Sequence, residues 1–182
     1  MLRVILLISL LANCCLGFAG NHTLYQIDLI VFTHQQGSEN TEHMVAPLIP
    51  PDTHAAIPLR SLDNAMTPYH LLPVSTSQLR NEYWALNRKS QYRILLHYTW
   101  LQPGNNQRPV ALSAIHSNSW DIEGTLRVRQ SNYYLLDTEL FFSSPTNDTS
   151  FIFSQKQRLK PNVVYYLDHP QAGMLIKIHK VA

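Results

Sequence analysis

Residues 92–100 read Tyr-Arg-Ile-Leu-Leu-His-Tyr-Thr-Trp, with Tyr92, Ile94, Leu96, Tyr98 and Trp100 at every second position. Successive side chains of a strand point to opposite faces, so this spacing predicts one apolar face and one carrying Arg93, His97 and Thr99. Pro103-Gly104-Asn105-Asn106 then ends the strand in a turn. The same pattern recurs downstream. Ile122, Gly124, Leu126 and Val128 alternate with Glu123, Thr125, Arg127 and Arg129, as a half-buried strand requires. Ser131-Asn132 predicts a hairpin turn into a strand over 133–142, and the break at 144–148 separates it from a strand over 151–160. Pro161-Asn162 leads into a strand over 163–168. His169-Pro170-Gln171-Ala172-Gly173 makes the last turn before an apolar strand over 174–181. In that turn the Asp168 carboxylate is expected to accept turn amides and Gly173 to supply a positive φ.

Upstream, Tyr25 to Phe32 is a nearly continuous apolar run, which predicts a buried central strand. Asp28 interrupts it; one carboxylate alone specifies no chemistry, so a paired structural role is the expectation. Residues 33–74 hold six of the eleven prolines and little periodicity, and read as an irregular segment. Ser75 with Gln78 suggests a capping box, and Leu79, Tyr83 and Leu86 then form the apolar stripe of a helix of about three turns, with Arg88 and Lys89 in the last one. Strands joined by tight turns and a single helix predict an α+β fold: a largely antiparallel β-sheet covered on one face by a helix, with a long proline-rich insertion.

The first residues, Met1-Leu2-Arg3 and the apolar run from Val4 to Ala12, have the form of a secretory signal, with a cut expected after Ala19. A lipid anchor at Cys14 is the alternative, disfavoured by the bulk of Asn13. Both cysteines, Cys14 and Cys15, then leave with the signal, so disulfides, cysteine-ligated zinc and a cysteine nucleophile are not expected. Residues 20–182 suit one domain with no transmembrane segment. A net charge of +2, of which Arg3 supplies one unit, is no signature of a nucleic-acid binder.

Little points to catalysis. The nine histidines lack an HExxH or i, i+4 pairing, so no metal or other cofactor is expected. No GxSxG or SxxK motif is present. Asp168 and His169 are adjacent on a strand end and should point apart. Asp137 and Glu139 share a strand face, a spacing a glycosidase could use, although pairing with Arg127 or Arg129 is the commoner use of that geometry. A mixed basic and aromatic surface is the stronger feature: Arg127, Arg129, Lys156, Arg158 and Lys160 with Trp100, Tyr98, Tyr165 and Tyr166 on neighbouring strands. Rings stack on sugars and cations pair with peptide carboxylates.

The segment Tyr92-Arg93-Ile94-Leu95-Leu96-His97, with Trp100, Gln102 and Pro103, resembles the Y-R-[VI]-L-x-H-x-x-W-x-Q-P segment of the CsiV peptidoglycan-binding proteins. Tyr166-Leu167-Asp168-His169-Pro170 followed by Gly173 is similar to that family's C-terminal signature. Tyr133 and Leu136 depart from its hairpin pattern. The resemblance implies a periplasmic protein of Gram-negative bacteria that binds peptidoglycan. It further implies a non-enzymatic role in wall synthesis and cell shape, beside the outer-membrane lipoprotein activator of a bifunctional penicillin-binding synthase. The contact residues expected on this reading are Trp100, Arg127, Arg129, Arg158 and Tyr166, with Asp168, His169, Pro170 and Gly173 as a structural turn. A protein-interaction module without direct wall contact and a hydrolase using Asp137 and Glu139 are the alternatives.

Overall fold

The structure, a computed structural model, describes residues 23–35, 48–61, 68–104, 106–144 and 149–181. Residues 1–19 and the cut after Ala19 therefore lie outside the described residues, as does much of 33–74.

Two sheets form instead of the single one expected. In the first, the order is β10 (Val164–His169), β11 (Ala172–Lys180), β1 (Leu24–His34), β5 (Tyr92–Pro103), β4 (His70–Leu71) and β3 (Arg60–Ser61). In the second it is β2 (Ile57–Pro58), β6 (Val110–Ser117), β7 (Trp120–Gln130), β8 (Tyr134–Ser144) and β9 (Thr149–Leu159). All long neighbours are antiparallel; the two-residue pairs β2–β6 and β3–β4 are parallel. Strand dominates, and the helix α1 (Arg80–Asn87) is a short element following a 3-10 turn at Val74–Thr76. Within 33–74 the described residues are no free insertion, because β2, β3 and β4 extend both sheets.

The faces follow from the two-residue period. Ile27, Leu29 and Val31 of β1, Leu96 and Trp100 of β5, and Met174, Ile176 and Ile178 of β11 meet Leu112, Leu126, Leu140, Phe142 and Phe153 of the second sheet in one core. The other face of the first sheet buries Ile30 and Phe32 beneath Leu79, with Tyr83 and Leu86 of α1 packed against them, as the helical stripe predicts. The first sheet is thus a middle layer between the second sheet and α1.

Three local expectations fail for identifiable reasons. A β-bulge opposite Val31 and Phe32 shifts the β1–β5 register, so Ile94 pairs with Phe32 and packs with Tyr92 on the helix side while Leu96 and Trp100 enter the inter-sheet core. The capping box is absent: Leu79 is the N-cap without a side-chain bond, and the amides ahead of the helix go instead to Asp28 Oδ2 (from Gln78, 3.3 Å) and Ser77 Oγ (from Leu79, 3.1 Å). Arg88 stands at the C-cap, and no basic residue occupies the last turn.

Gly173 lies inside β11 rather than at a positive-φ turn position, paired with Phe32 on one side and Asp168 on the other. It is glycine because a Cβ would strike the Phe32 ring. Among the described glycines the positive φ belongs to Gly124 of β7, at 148°, where a Cβ would collide with the Glu139 carbonyl oxygen on β8. We expect Gly124→Ala to lower unfolding free energy by about 3 kcal/mol or more, through strain added to the collision. Urea titration of the variant against wild type checks this, with Ala114→Gly on the exposed part of β6 as a mild control.

Candidate functional site

The outer face of the second sheet carries the residues that sequence alone marks as basic. On β7, Ile122, Gly124, Leu126 and Val128 are buried, so Glu123, Thr125, Arg127 and Arg129 point outward. Register fixes their neighbours across three strands: Arg127–Asp137–Lys156 form one row and Arg129–Leu135–Arg158 the next. Adjacent strands lie about 4.8 Å apart, so Arg129 and Arg158 stand roughly 10 Å apart across Leu135. Arg127 donates to Asp137 Oδ2 at 2.6 Å and uses that carboxylate. Among the described residues, Arg129, Lys156 and Arg158 have no acidic partner. The Arg129 Nε is buried with no hydrogen-bond acceptor. Four cations surround the engaged Asp137 carboxylate, with the exposed Glu139 one row further along the same face; the guanidinium fork is suited to carboxylates.

The remaining predicted contact residues lie elsewhere. Trp100 is 0% exposed, in the core between the sheets, and its Nε1 donates to Gln102 Oε1 at 3.1 Å. It is withdrawn from any contact role, because the bulge puts its strand phase on the inward face. Tyr166 is 53% exposed but sits on β10, on the helix side of the first sheet, stacked on Phe32 with ring centroids 6.2 Å apart. Its hydroxyl donates to Asp168 Oδ1 at 2.5 Å. Burial first, then that bond and its negative charge, push the phenol above its ordinary range. Asp168 therefore caps Tyr166 rather than the turn amides. His169 serves the turn instead: its Nδ1 accepts the Gln171 amide at 3.2 Å, and its ring stacks on Phe151 at 4.7 Å. Asp168 and His169 do point apart, and Pro170 with Gln171 forms the two-residue connection between β10 and β11.

The family model described as "Peptidoglycan-binding protein, CsiV" matches residues 3–181. The chain belongs to the CsiV family. Comparison with curated proteins and with solved structures gave no match.

In this CsiV family member the buried Asp28 has structural employment. Asp28 is 0% exposed and accepts from Thr99 Oγ1 at 2.8 Å, from Gln26 Nε2 at 3.0 Å and from the Gln78 amide. It ties the central strand to the chain entering α1, which is the paired role expected. Asp137 is bound to Arg127, and Glu139 is exposed opposite Thr125 and Ser154, so among the described residues the carboxylate pair lies on an open sheet face. Among the described residues no group of three His, Cys, Asp or Glu converges as a metal site, and no helix is long and apolar enough to cross a membrane. Sequence reading missed β6, whose Val110, Ala111 and Leu112 are buried; the run 110–112 between Pro109 and Ser113 was the available signal.

His97, His169 and His179 are all held below the ordinary histidine range, in each case first by burial. Asp28 opposes the shift at His97 and His179, and Asp168 opposes it at His169. The unfolded chain takes up these protons near pH 6.5 while the folded chain resists them, so it binds more protons in that window and stability falls with acidification. We expect the urea midpoint to decrease from pH 7.5 to pH 5. Replacing the three histidines by glutamine should flatten that slope, and an unchanged slope would show that burial does not govern it.

Proposed function

We propose that this chain is a non-enzymatic peptidoglycan-binding protein of the Gram-negative periplasm, exported by residues 1–19, whose wall-contact surface is the face bearing Arg127, Arg129, Lys156 and Arg158. On this reading it supports wall synthesis and cell shape beside the lipoprotein activator of a bifunctional penicillin-binding synthase. One observation carries the site: among the described residues, three cations without acidic partners share one sheet face with a paired Arg127, and Arg129 Nε is a buried donor still lacking an acceptor. Peptidoglycan presents stem-peptide carboxylates at high density, and each charge-assisted bond to one contributes roughly 1.5–3 kcal/mol. The contact set is thus Arg127, Arg129 and Arg158 joined by Lys156. Trp100 is excluded by burial, and Tyr166 is left to a separate surface.

A second reading, a protein-interaction module, is favoured by exposed apolar groups beside α1, Trp84 at 52% and Val74 at 46%. Co-sedimentation of the chain from Gly20 with protein-free sacculi separates these readings. Wild type should pellet without releasing soluble fragments, and Arg129→Glu with Arg158→Glu should weaken binding at least tenfold at unchanged melting temperature. Equal binding by the double variant removes this face from the site. Fragment release would instead make the chain an enzyme.

A further inference from the structure

The second sheet ends at β9, and among the described residues no strand pairs with its outer edge. Among the described residues, the backbone of 154–158 bonds to β8 alone. Ser154, Lys156, Gln157 and Arg158 are exposed there. The next strand, β10, follows after a short connection but belongs to the other sheet. It meets β9 through side chains: Gln155 Nε2 to the Asp168 carbonyl at 3.3 Å, the Lys160 amide to Tyr165 Oη at 2.9 Å, and the Phe151–His169 stack. A strand edge of this kind presents a row of N–H and C=O groups to any extended chain laid beside it.

We infer that the β9 edge over Ser154–Arg158 takes up a peptidoglycan stem peptide as an added strand, with Lys156 and Arg158 pairing its carboxylates. This rests on the basic face being the wall-contact surface, and it names the part of the wall recognised. Charge complementarity argues for an anionic occupant: Lys156 and Arg158 fall two residues apart, about 6.6 Å along the strand, and both point to the face that holds Arg127 and Arg129. Aromatic placement argues against the glycan. Sugar recognition needs exposed rings, and here Trp100 is in the core, Tyr98 and Tyr165 pack against it, and Tyr166 lies on the other sheet. Among the described residues Tyr133, in the hairpin loop, is one exposed ring at this end, and a single ring makes no stacking platform. Gln155 and Gln157, on the opposite side of β9, add amide groups along the same edge. Lysines on edges also serve to block self-association, and the experiment must separate that role from ligand binding.

The test uses the isotope-labelled protein with three probes: sacculi, the free stem tetrapeptide L-Ala-γ-D-Glu-diaminopimelate-D-Ala at millimolar concentration, and an N-acetylglucosamine tetramer. We expect the tetrapeptide to displace the protein from sacculi, and to slow amide hydrogen exchange at least fivefold at alternate positions within Ser154–Arg158. The glycan oligomer should do neither, and Lys156→Glu with Arg158→Glu should weaken tetrapeptide binding at least tenfold. Displacement without amide protection overturns strand addition in favour of charge pairing alone. Displacement by the glycan oligomer overturns peptide recognition. A double variant that self-associates in sedimentation velocity yet binds tetrapeptide normally makes the two cations edge guards and also overturns the inference. Sacculi binding that the tetrapeptide leaves untouched sinks this inference and spares the wall-binding reading, whereas absence of sacculi binding sinks that reading itself.

Discussion

The central strand β1 is buried along both faces from Tyr25 to Thr33, and most of the architecture answers to that constraint. A strand apolar on both sides must be covered twice. Ile27, Leu29 and Val31 are covered by the second sheet, and Ile30 and Phe32 by α1. The polar side chain in its middle, Asp28, is fully buried and must be satisfied from within. It is satisfied by Thr99 and Gln26 beside it and by the amide of Gln78 above, so the same carboxylate that interrupts the apolar run also fixes where the helical segment sits. A buried carboxyl left without partners is costly, which makes the position of α1 a consequence of β1 and not only of the helix's own weak propensity over two turns.

The second sheet escapes the double constraint. Its inner face is buried against β1, β5 and β11, and its outer face meets water, so alternation along β7, β8 and β9 is free to sort charge outward. Cross-strand register then decides what those charges do. One carboxylate, Asp137, falls between Arg127 and Lys156 and is taken by the arginine, leaving its neighbours available. A one-residue slip would turn Arg127 and Arg129 into the core, so the basic face is as strongly specified as the hydrophobic one behind it.

Most long strands were legible from the period-two pattern, and so was the helical stripe of Leu79, Tyr83 and Leu86. What escaped depends on pairing between distant segments. Nothing within residues 92–100 announces the bulge, since it arises from register against Val31 and Phe32, yet it decides that Ile94 and Trp100 face opposite ways. The capping of the helical segment was misassigned because its acceptor, Asp28, lies 50 residues away. Gly173 looked like a turn glycine because it follows Pro170, but its requirement comes from the Phe32 ring on β1. β6 carries too short an apolar run to stand out alone. At the site, Arg127, Arg129 and Arg158 could be placed on outward faces from alternation, but their convergence needed the hairpin registers of both β7–β8 and β8–β9.

Aromatic content is a poor guide to ligand chemistry in such a fold. A tryptophan in a strand is expected outside if it stacks on sugar and inside if it fills the inter-sheet gap, and composition does not separate the two. Here the gap between the sheets is filled by Trp100, Phe142, Phe153 and their neighbours, and Tyr166 is held by Phe32 and Asp168. A fold without any cysteine beyond Cys15 has to draw its stability from this packing. With these rings spent on cohesion, the outer face of the second sheet presents cations and an edge backbone, with the exposed Tyr133 beside them. On the proposed reading, in which the ligand is a wall of sugar chains and anionic peptides, that division of labour favours the peptide.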